Sequence, residues 1–549
     1  MRPQRKTKNG CTVRAISGTH VVFLAFDLTD AARKDCAGFA IKRTDHTEGE
    51  TYWLQGMKTF KSVREHTAPG EKFSTREHPI QGMQWADYSA KPGYDYTYTV
   101  IPMYGTPGSL TEGTAVTVDI TTERPDQGKH RIFFNRGAVA SQEYARRFQN
   151  KKPSDVGPAA YEWLSRGLEE GILGFIGRAK DGAWSLRAAI YEFEWESVLL
   201  AFKQAHGNGA DVKIVYDAIP SGGAVHENDA AIDKARIRSL CTPRTQGKIM
   251  HNKFIVLLKN DEPVAVLTGS TNITENGIFG HLNCAHIVED KTIAAQYLDY
   301  WKELKGDPST AELKTWCEAS NPFPPANWTK DLMVVFSPHS GIGILNWYAQ
   351  QAGASAAPLM ITLAFGMHKS LQATYELPDG VLRMGMLEKE GNGSGMAKGK
   401  VDIARIRKQK NVLIALGRHI SANKFDTWLK ERAKVNAEAG ILWVHTKFLL
   451  IDPLGPDPVV FTGSANFSEA SINANDENML VVRGDTRVAD IYFTEFLRIY
   501  SHHAFRESLT FQQPANWSPA YLKEKSADWQ KDYYTPGDDR CLRREYYVK

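Results

Sequence analysis

Residues 443–452 read WVHTKFLLID. The run is apolar from Phe448 to Ile451, yet it carries His445 and Lys447 two positions apart. A buried strand keeps such a pair only where a partner or a task offsets the lost hydration. Residues 249–258, IMHNKFIVLL, repeat the arrangement with His251 and Lys253. In both copies a glycine, Gly269 or Gly463, follows the histidine by 18 residues, then a serine, Ser270 or Ser464. An asparagine, Asn272 or Asn466, follows by 21. Every matched position is displaced by 194 (445 − 251). Five positions in register make an internal repeat, so the chain reads as two copies of one unit.

The surroundings give the unit a shape. LRAAIYEFE reads as a buried strand, WESVLLAFKQAHGNG as an amphipathic helix stopping at Gly207 or Gly209, and DVKIVYDA as the next strand. Strand, helix, strand implies a parallel pair with a helical crossover. The His-Lys strand and PVAVLTGSTN follow, and TIAAQYLDYWKEL closes the unit as a helix. PLMITLAF, VLRMGMLE and VADIYFTEFLRIY repeat the plan. The expected fold class is α/β: two pseudo-symmetric repeats, residues 130–306 and 327–505, each a mixed sheet flanked by helices. KEGNGSGMAKGK is expected to form a surface loop. Ahead of them, residues 10–122 hold short β-rich runs with period-two alternation and turn punctuation, the pattern of a β-sandwich. The tail, residues 506–549, has no clear periodicity and suggests no role.

Composition narrows the class. The chain has 549 residues, enough for two to four domains, and 42% hydrophobic with 24% charged residues is ordinary for a globular protein. A net charge of +4 is mild for this length and weighs against a non-specific nucleic-acid binder, although a local basic groove can hide in a balanced total. The six cysteines form no Cys-x-x-Cys pair and are too sparse for a disulfide scaffold. No apolar h-region follows the basic start and no run suits a membrane span, so a cytoplasmic location is expected.

Phosphodiester cleavage needs a nucleophile, an acid for the leaving oxygen, and donors for the charge on phosphorus-bound oxygens. One histidine cannot be nucleophile and acid in the same step, so two facing copies suit the chemistry. Lys253 and Lys447 would meet the phosphate as point charges, with Asn272, Asn466, Ser270 and Ser464 donating hydrogen bonds. Gly269 and Gly463 would let the backbone approach closely or turn sharply. Protonated lysine has no lone pair for a metal, and no zinc- or iron-type cluster is visible, so neither metal nor cofactor is expected and activity should survive chelators. Each residue also has a plain reading: core histidines, snorkelling lysines, and Gly-Ser-x-Asn as a turn.

His-x-Lys-x₄-Asp followed by Gly-Ser-x-Asn, present twice, resembles the phospholipase D superfamily over residues 130–505. KPGYDYTYTVIPMYG resembles the tyrosine-bearing strand of a fibronectin type III module, whose ligand would be unknown. The first resemblance implies that His251 attacks to give a covalent phosphohistidine, while His445 protonates the leaving group. It also implies an acidic residue holding the ring of a motif histidine. Glu477 lies 32 residues after His445, and Asn283 lies 32 after His251. On that alignment Glu477 would hold His445 and favour its imidazolium, and Asn283 would fix the tautomer of His251 and stand with Ser270 and Ser464 among the substrate-binding residues. The first copy has Leu258 where the second keeps Asp452, a position expected to be structural. The superfamily does not fix the substrate. A phospholipid head group leads, with peripheral membrane contact. The alternatives are an endonuclease, with a basic groove from Arg244, Lys248 and KEGNGSGMAKGK, and a non-catalytic phosphate-binding adaptor.

Overall fold

The computed structural model describes residue 2 and residues 5–68, 71–137, 141–149, 151–220, 223–388, 403–417, 444–511 and 521–549. KEGNGSGMAKGK lies outside these residues.

The repeat visible in sequence becomes two seven-stranded sheets with one topology. In the first, Lys253–Lys259 runs antiparallel to Glu262–Gly269 on one side and to Trp184–Ile190 on the other. Asp211–Asp217 and Cys241–Arg244 add in parallel beyond Trp184–Ile190. Cys284–Val288 and His130–Phe134 complete the opposite edge. In the second, Phe448–Ile451 takes the central place between Val459–Gly463 and Leu359–Leu363. Arg383–Leu387 and Val412–Leu416 extend it in parallel, and Glu477–Arg483 and Leu332–Ser337 close the antiparallel side. The sheets are mixed because the chain leaves by a helical crossover, Glu196–Gly207, and returns through hairpins.

The closing helices, Lys291–Lys305 and Thr486–Phe511, fill the space between the sheets. Tyr297 packs edge-on against Phe254 of the first sheet and Phe336 of the second, with ring centroids 5.0 and 5.1 Å away. Tyr492 does the same with Phe134 and Phe448, both at 5.2 Å. One apolar core therefore spans both repeats. Leu258 belongs to it and is buried, which gives a packing reason for a leucine where the motif otherwise has an acid. Its counterpart Asp452 lies just past the strand end and accepts a hydrogen bond from Tyr546 Oη at 3.2 Å.

Arg244 clips the repeats together. Fully buried, its Nε donates to Asp476 at 3.0 Å and its Nη1 to Asp307 at 2.9 Å. It cannot line a basic groove, as the nuclease alternative required. Removing one member of such a pair leaves a buried charge alone. Arg244→Ala should lower unfolding free energy by about 3–5 kcal/mol in urea denaturation. A loss within about 0.5 kcal/mol would contradict the clip.

The N-terminal region is all β. Lys6–Lys8, Cys11–Ser17, Val22–Leu28 and Gln84–Asp87 form one sheet, and Cys36–Asp45, Glu50–Trp53, Asp95–Thr106, Ser109–Glu112 and Val116–Thr121 the other. Val116–Thr121 alternates buried and exposed, as one strand over one core should. Tyr96, at the start of its strand, accepts a hydrogen bond from the Lys91 backbone N–H at 2.9 Å, a tyrosine corner. Phe23 packs the sandwich onto Phe493 of the last closing helix and Tyr547 near the C-terminus. The tail is no loose appendage: Trp529 Nε1 donates to the Cys36 carbonyl at 3.0 Å. Among the described residues no helix is long and apolar enough to cross a membrane.

Candidate active site

Both motif histidines sit just ahead of the central strands, and each is bridged to the other repeat. Met250 pairs with Asp476, and Leu282 pairs with Val444. These bridges are one contact seen twice, since 444 and 476 are 250 and 282 displaced by 194. The two motifs therefore meet across a pseudo-twofold axis.

That axis corrects the expected partners of the rings. His251 Nδ1 lies 2.8 Å from Glu477 Oε2, and His445 Nδ1 lies 3.0 Å from Asn283 Oδ1. Glu477 holds the histidine of the other repeat, not His445, and Asn283 likewise holds His445, not His251. The physical reason is the crossed bridge: the strand bearing Glu477 continues from the segment paired to Met250, so its side chain faces His251. Asn283 Nδ2 donates to the Gly277 carbonyl at 2.7 Å and its Oδ1 accepts from Ser270 Oγ at 2.8 Å. The amide orientation is thereby fixed, and His445 must carry its proton on Nδ1. A carboxylate acceptor fixes the same tautomer for His251. Nε2 of both rings is left for chemistry.

The lysines are nearly sealed from water, with 4% of Lys253 and 1% of Lys447 exposed. Each ammonium donates to the carbonyl of its own histidine, at 2.6 and 2.5 Å. Among the described residues neither forms a salt bridge. Burial lowers the Lys253 pKa to about 8, with Glu477 and Glu192 opposing. Burial, then Lys253, drives Lys447 well below its usual value. Two buried cations that repel one another form a site prepared for an anion. Burial also lowers His251 to about 4 and His445 well below its ordinary value. Glu477 is the group that raises His251; the first charged group acting on His445 is Lys447, which lowers it further.

Asn272 and Asn466 each keep a buried Oδ1 without a hydrogen-bond partner among the described residues, and Asn272 Nδ2 donates to Glu192 at 2.5 Å. The serines depart from expectation. Ser270 Oγ accepts from the Cys284 N–H and Ser464 Oγ from the Asn478 N–H, and both are fully buried. Their hydroxyls are spent holding the neighbouring strand, so they shape the site rather than face it. Asn283, expected to touch substrate, is spent on His445 and Ser270. Gly269 and Gly463 have one job: a Cβ at either would lie 2.3 Å from the carbonyl oxygen of Cys284 or Asn478.

Three residues were not singled out in sequence. Glu192 interacts with Lys253, Asn272 and Lys447, and burial raises its pKa. Tyr191 lies with its ring centroid 5.0 Å from that of His251 and 4.9 Å from Lys253 Nζ. Both follow a strand at the edge where a parallel pair ends, a usual place for a site. His281 has its ring centroid 5.6 Å from that of His445, and both its nitrogens are buried without a partner among the described residues. The 194-residue displacement matches it to Asn475. Among the described residues no group of three or more His, Cys, Asp or Glu could hold a metal ion.

Residues 172–305 and 396–500 match a family model described as cardiolipin synthase, PLD-like domain. The chain carries a PLD-like domain. Its two matched stretches include both His-x-Lys pairs and the strands that hold them. Comparison with curated proteins gives no match. Among solved structures, phosphatidylserine synthase from Haemophilus influenzae Rd KW20 is 12% identical over 69% of this chain and 90% of its own, with a TM-score of 0.41. Polyphosphate kinase from Porphyromonas gingivalis is 13% identical, with a TM-score of 0.38. The match covers 59% of this chain but only 43% of the kinase. Nuc, a phospholipase D family member from Salmonella typhimurium, is 26% identical over 25% of this chain and 87% of its own, with a TM-score of 0.22. These overlaps are loose.

Proposed function

We propose that the PLD-like domain of this chain is a phosphodiesterase working through a covalent phosphohistidine. The carrying observation is the crossed site: two neutral, tautomer-fixed histidines with free Nε2 atoms beside two buried lysines that form no salt bridge among the described residues. The lysines hold the non-bridging oxygens. His251 Nε2 attacks phosphorus, forming a P–N bond as the bond to the leaving oxygen breaks. His445, which takes up a proton on Nε2 when the substrate anion binds, delivers that proton to the leaving oxygen, then takes one from water as the water oxygen attacks phosphorus and the P–N bond breaks.

The roles follow from charge. A ring with Nδ1–H and a phosphoryl group on Nε2 is cationic for the life of the intermediate. Glu477 neutralises that charge at His251, whereas Asn283 supplies only a dipole. This replaces the argument from an imidazolium on His445. The substrate anion, arriving between the lysines, raises the proton affinity of His445, which is low in the empty site. His281, with two unused nitrogens beside His445, faces the leaving-group side.

A phospholipid head group was favoured by net charge alone. A specific observation, the basic cleft described below, supports the nuclease reading instead. One assay separates them. Wild type and His251→Ala receive phosphatidylcholine vesicles and single-stranded DNA together in EDTA, with choline release and strand scission followed in parallel. Either signal in wild type alone identifies the substrate class. Equal turnover by the variant would remove His251 from the mechanism, and no signal from wild type would leave the adaptor reading standing.

A further inference from the structure

Away from the two histidines, a cleft of about 1180 Å³ opens between the β-sandwich and the C-terminal segment. Its walls come from three parts of the chain, the sandwich, residues 143–146 and the C-terminal segment, the first and last joined by a short parallel pairing, Tyr521 with Thr59 and Leu522 with Phe60. Gln81 reinforces the joint: its side chain accepts from the Lys523 N–H at 2.7 Å and donates to the Lys523 carbonyl at 2.8 Å. Lys58 precedes the first short strand and Lys523 follows the second, and both line the cleft.

The lining holds six Lys and Arg side chains against two carboxylates, Glu143 and Asp528, an excess of +4. Arg146 pairs with Glu143, Arg540 with Asp532 and Arg543 with Asp539. Lys58, Lys72 and Lys523 form no ion pair among the described residues. Although Lys58 is exposed, the cleft walls around it desolvate its ammonium and lower its pKa, and Arg540 and Lys523 lower it further. Like charges gathered in a concavity disfavour the empty state and favour an anion. The walls between the lysines are aromatic: Trp85, Tyr521 and Tyr533 are half-buried, and Trp529 backs them. Cations and aromatic rings lining one cleft, with Arg540 already over the Tyr533 ring, suit a ligand that alternates phosphates with bases. The volume exceeds the roughly 300–1,000 Å³ of small-molecule pockets, which favours a strand over one nucleotide.

We propose that this cleft binds single-stranded nucleic acid, with Lys58, Lys72 and Lys523 on the phosphates and Trp85 and Tyr533 against the bases. It lies apart from the PLD-like site, so its test must be independent of turnover.

The test uses the full chain carrying His251→Ala, so that a strand is not cut. A fluorescein-labelled oligothymidylate is titrated and followed by anisotropy across a salt series. Lys58→Ala/Lys523→Ala should weaken binding at least tenfold, and the salt slope should shrink by about 1.4, for two lost phosphate contacts at about 0.7 each. Lys58→Arg/Lys523→Arg should keep the affinity within threefold. Lys72→Glu, at an exposed position outside the paired strands, should weaken binding even if the double variant folds poorly. Unchanged affinity in the alanine and glutamate variants would overturn the proposal. So would thymidine monophosphate binding as tightly as the oligomer, or phosphatidylglycerol vesicles binding with the same lysine dependence. A decay of anisotropy with time would instead report cutting without His251, which counts against the active-site reading and not against the cleft.

Discussion

His445→Ala is expected to release one equivalent of p-nitrophenol from a p-nitrophenyl phosphodiester and then stall. The nitrophenolate leaves without a proton, so the first step survives loss of the acid. The second does not, because nothing takes the proton from the attacking water, and steady turnover should fall by about 10²–10⁴. Mass spectrometry should find the phosphoryl adduct on His251. His251→Ala should show no burst and lose about 10⁴ or more. An adduct on His445 in that second variant would exchange the two roles.

The pH profile carries the same logic. Below about 4 His251 is protonated and loses its lone pair, so kcat/KM falls on the acid side. His445 must be protonated to serve an alkoxide leaving group, and its pKa is depressed by burial and Lys447. With an alkyl substrate, activity should therefore decline as pH rises past that depressed pKa. The decline should vanish for the p-nitrophenyl substrate. A profile identical for both substrates would remove His445 as the acid.

Glu477→Gln is the second large effect. The amide keeps the size and an acceptor, so the ring stays oriented; what is lost is the charge. Glu477 raises the His251 pKa, so its removal should lower that pKa further, seen by NMR titration. It should also slow formation of the phosphohistidine by about 10²–10⁴. Glu477→Asp should recover part of that rate. A loss confined to hydrolysis of the intermediate, with formation unchanged, would place the carboxylate's work elsewhere. A purely structural role would lower the melting temperature without moving the His251 titration.

Much of this was legible from residues alone, and the limits are physical. Five positions displaced by a constant interval specify two copies of one unit, so the paired sheets and the two histidine–lysine pairs followed. The ring partners did not. Glu477 and Asn283 are each 32 residues from a histidine in their own copy, and that spacing is identical whether the contact stays within a copy or crosses to the other. Only the bridges Met250–Asp476 and Leu282–Val444 decide it. The serines were misread for a related cause: a hydroxyl beside a site can serve the ligand or the next strand, and the fold alone discloses that Cys284 and Asn478 claim them. His281 had a detectable signal, since the same displacement sets it opposite Asn475. Arg244 was the opposite case, a cation assigned to a surface that proved fully buried.

The crossed ring partners also impose a schedule. During synthesis His251 emerges long before residue 477, and His445 meets Asn283 only once the second repeat has formed. On the proposed mechanism, a nascent chain holding the first repeat alone has a nucleophile with no counter-charge and no acid. On that mechanism, competence is thus withheld from every partial product of translation that ends before Glu477, the last residue of the crossed pairs.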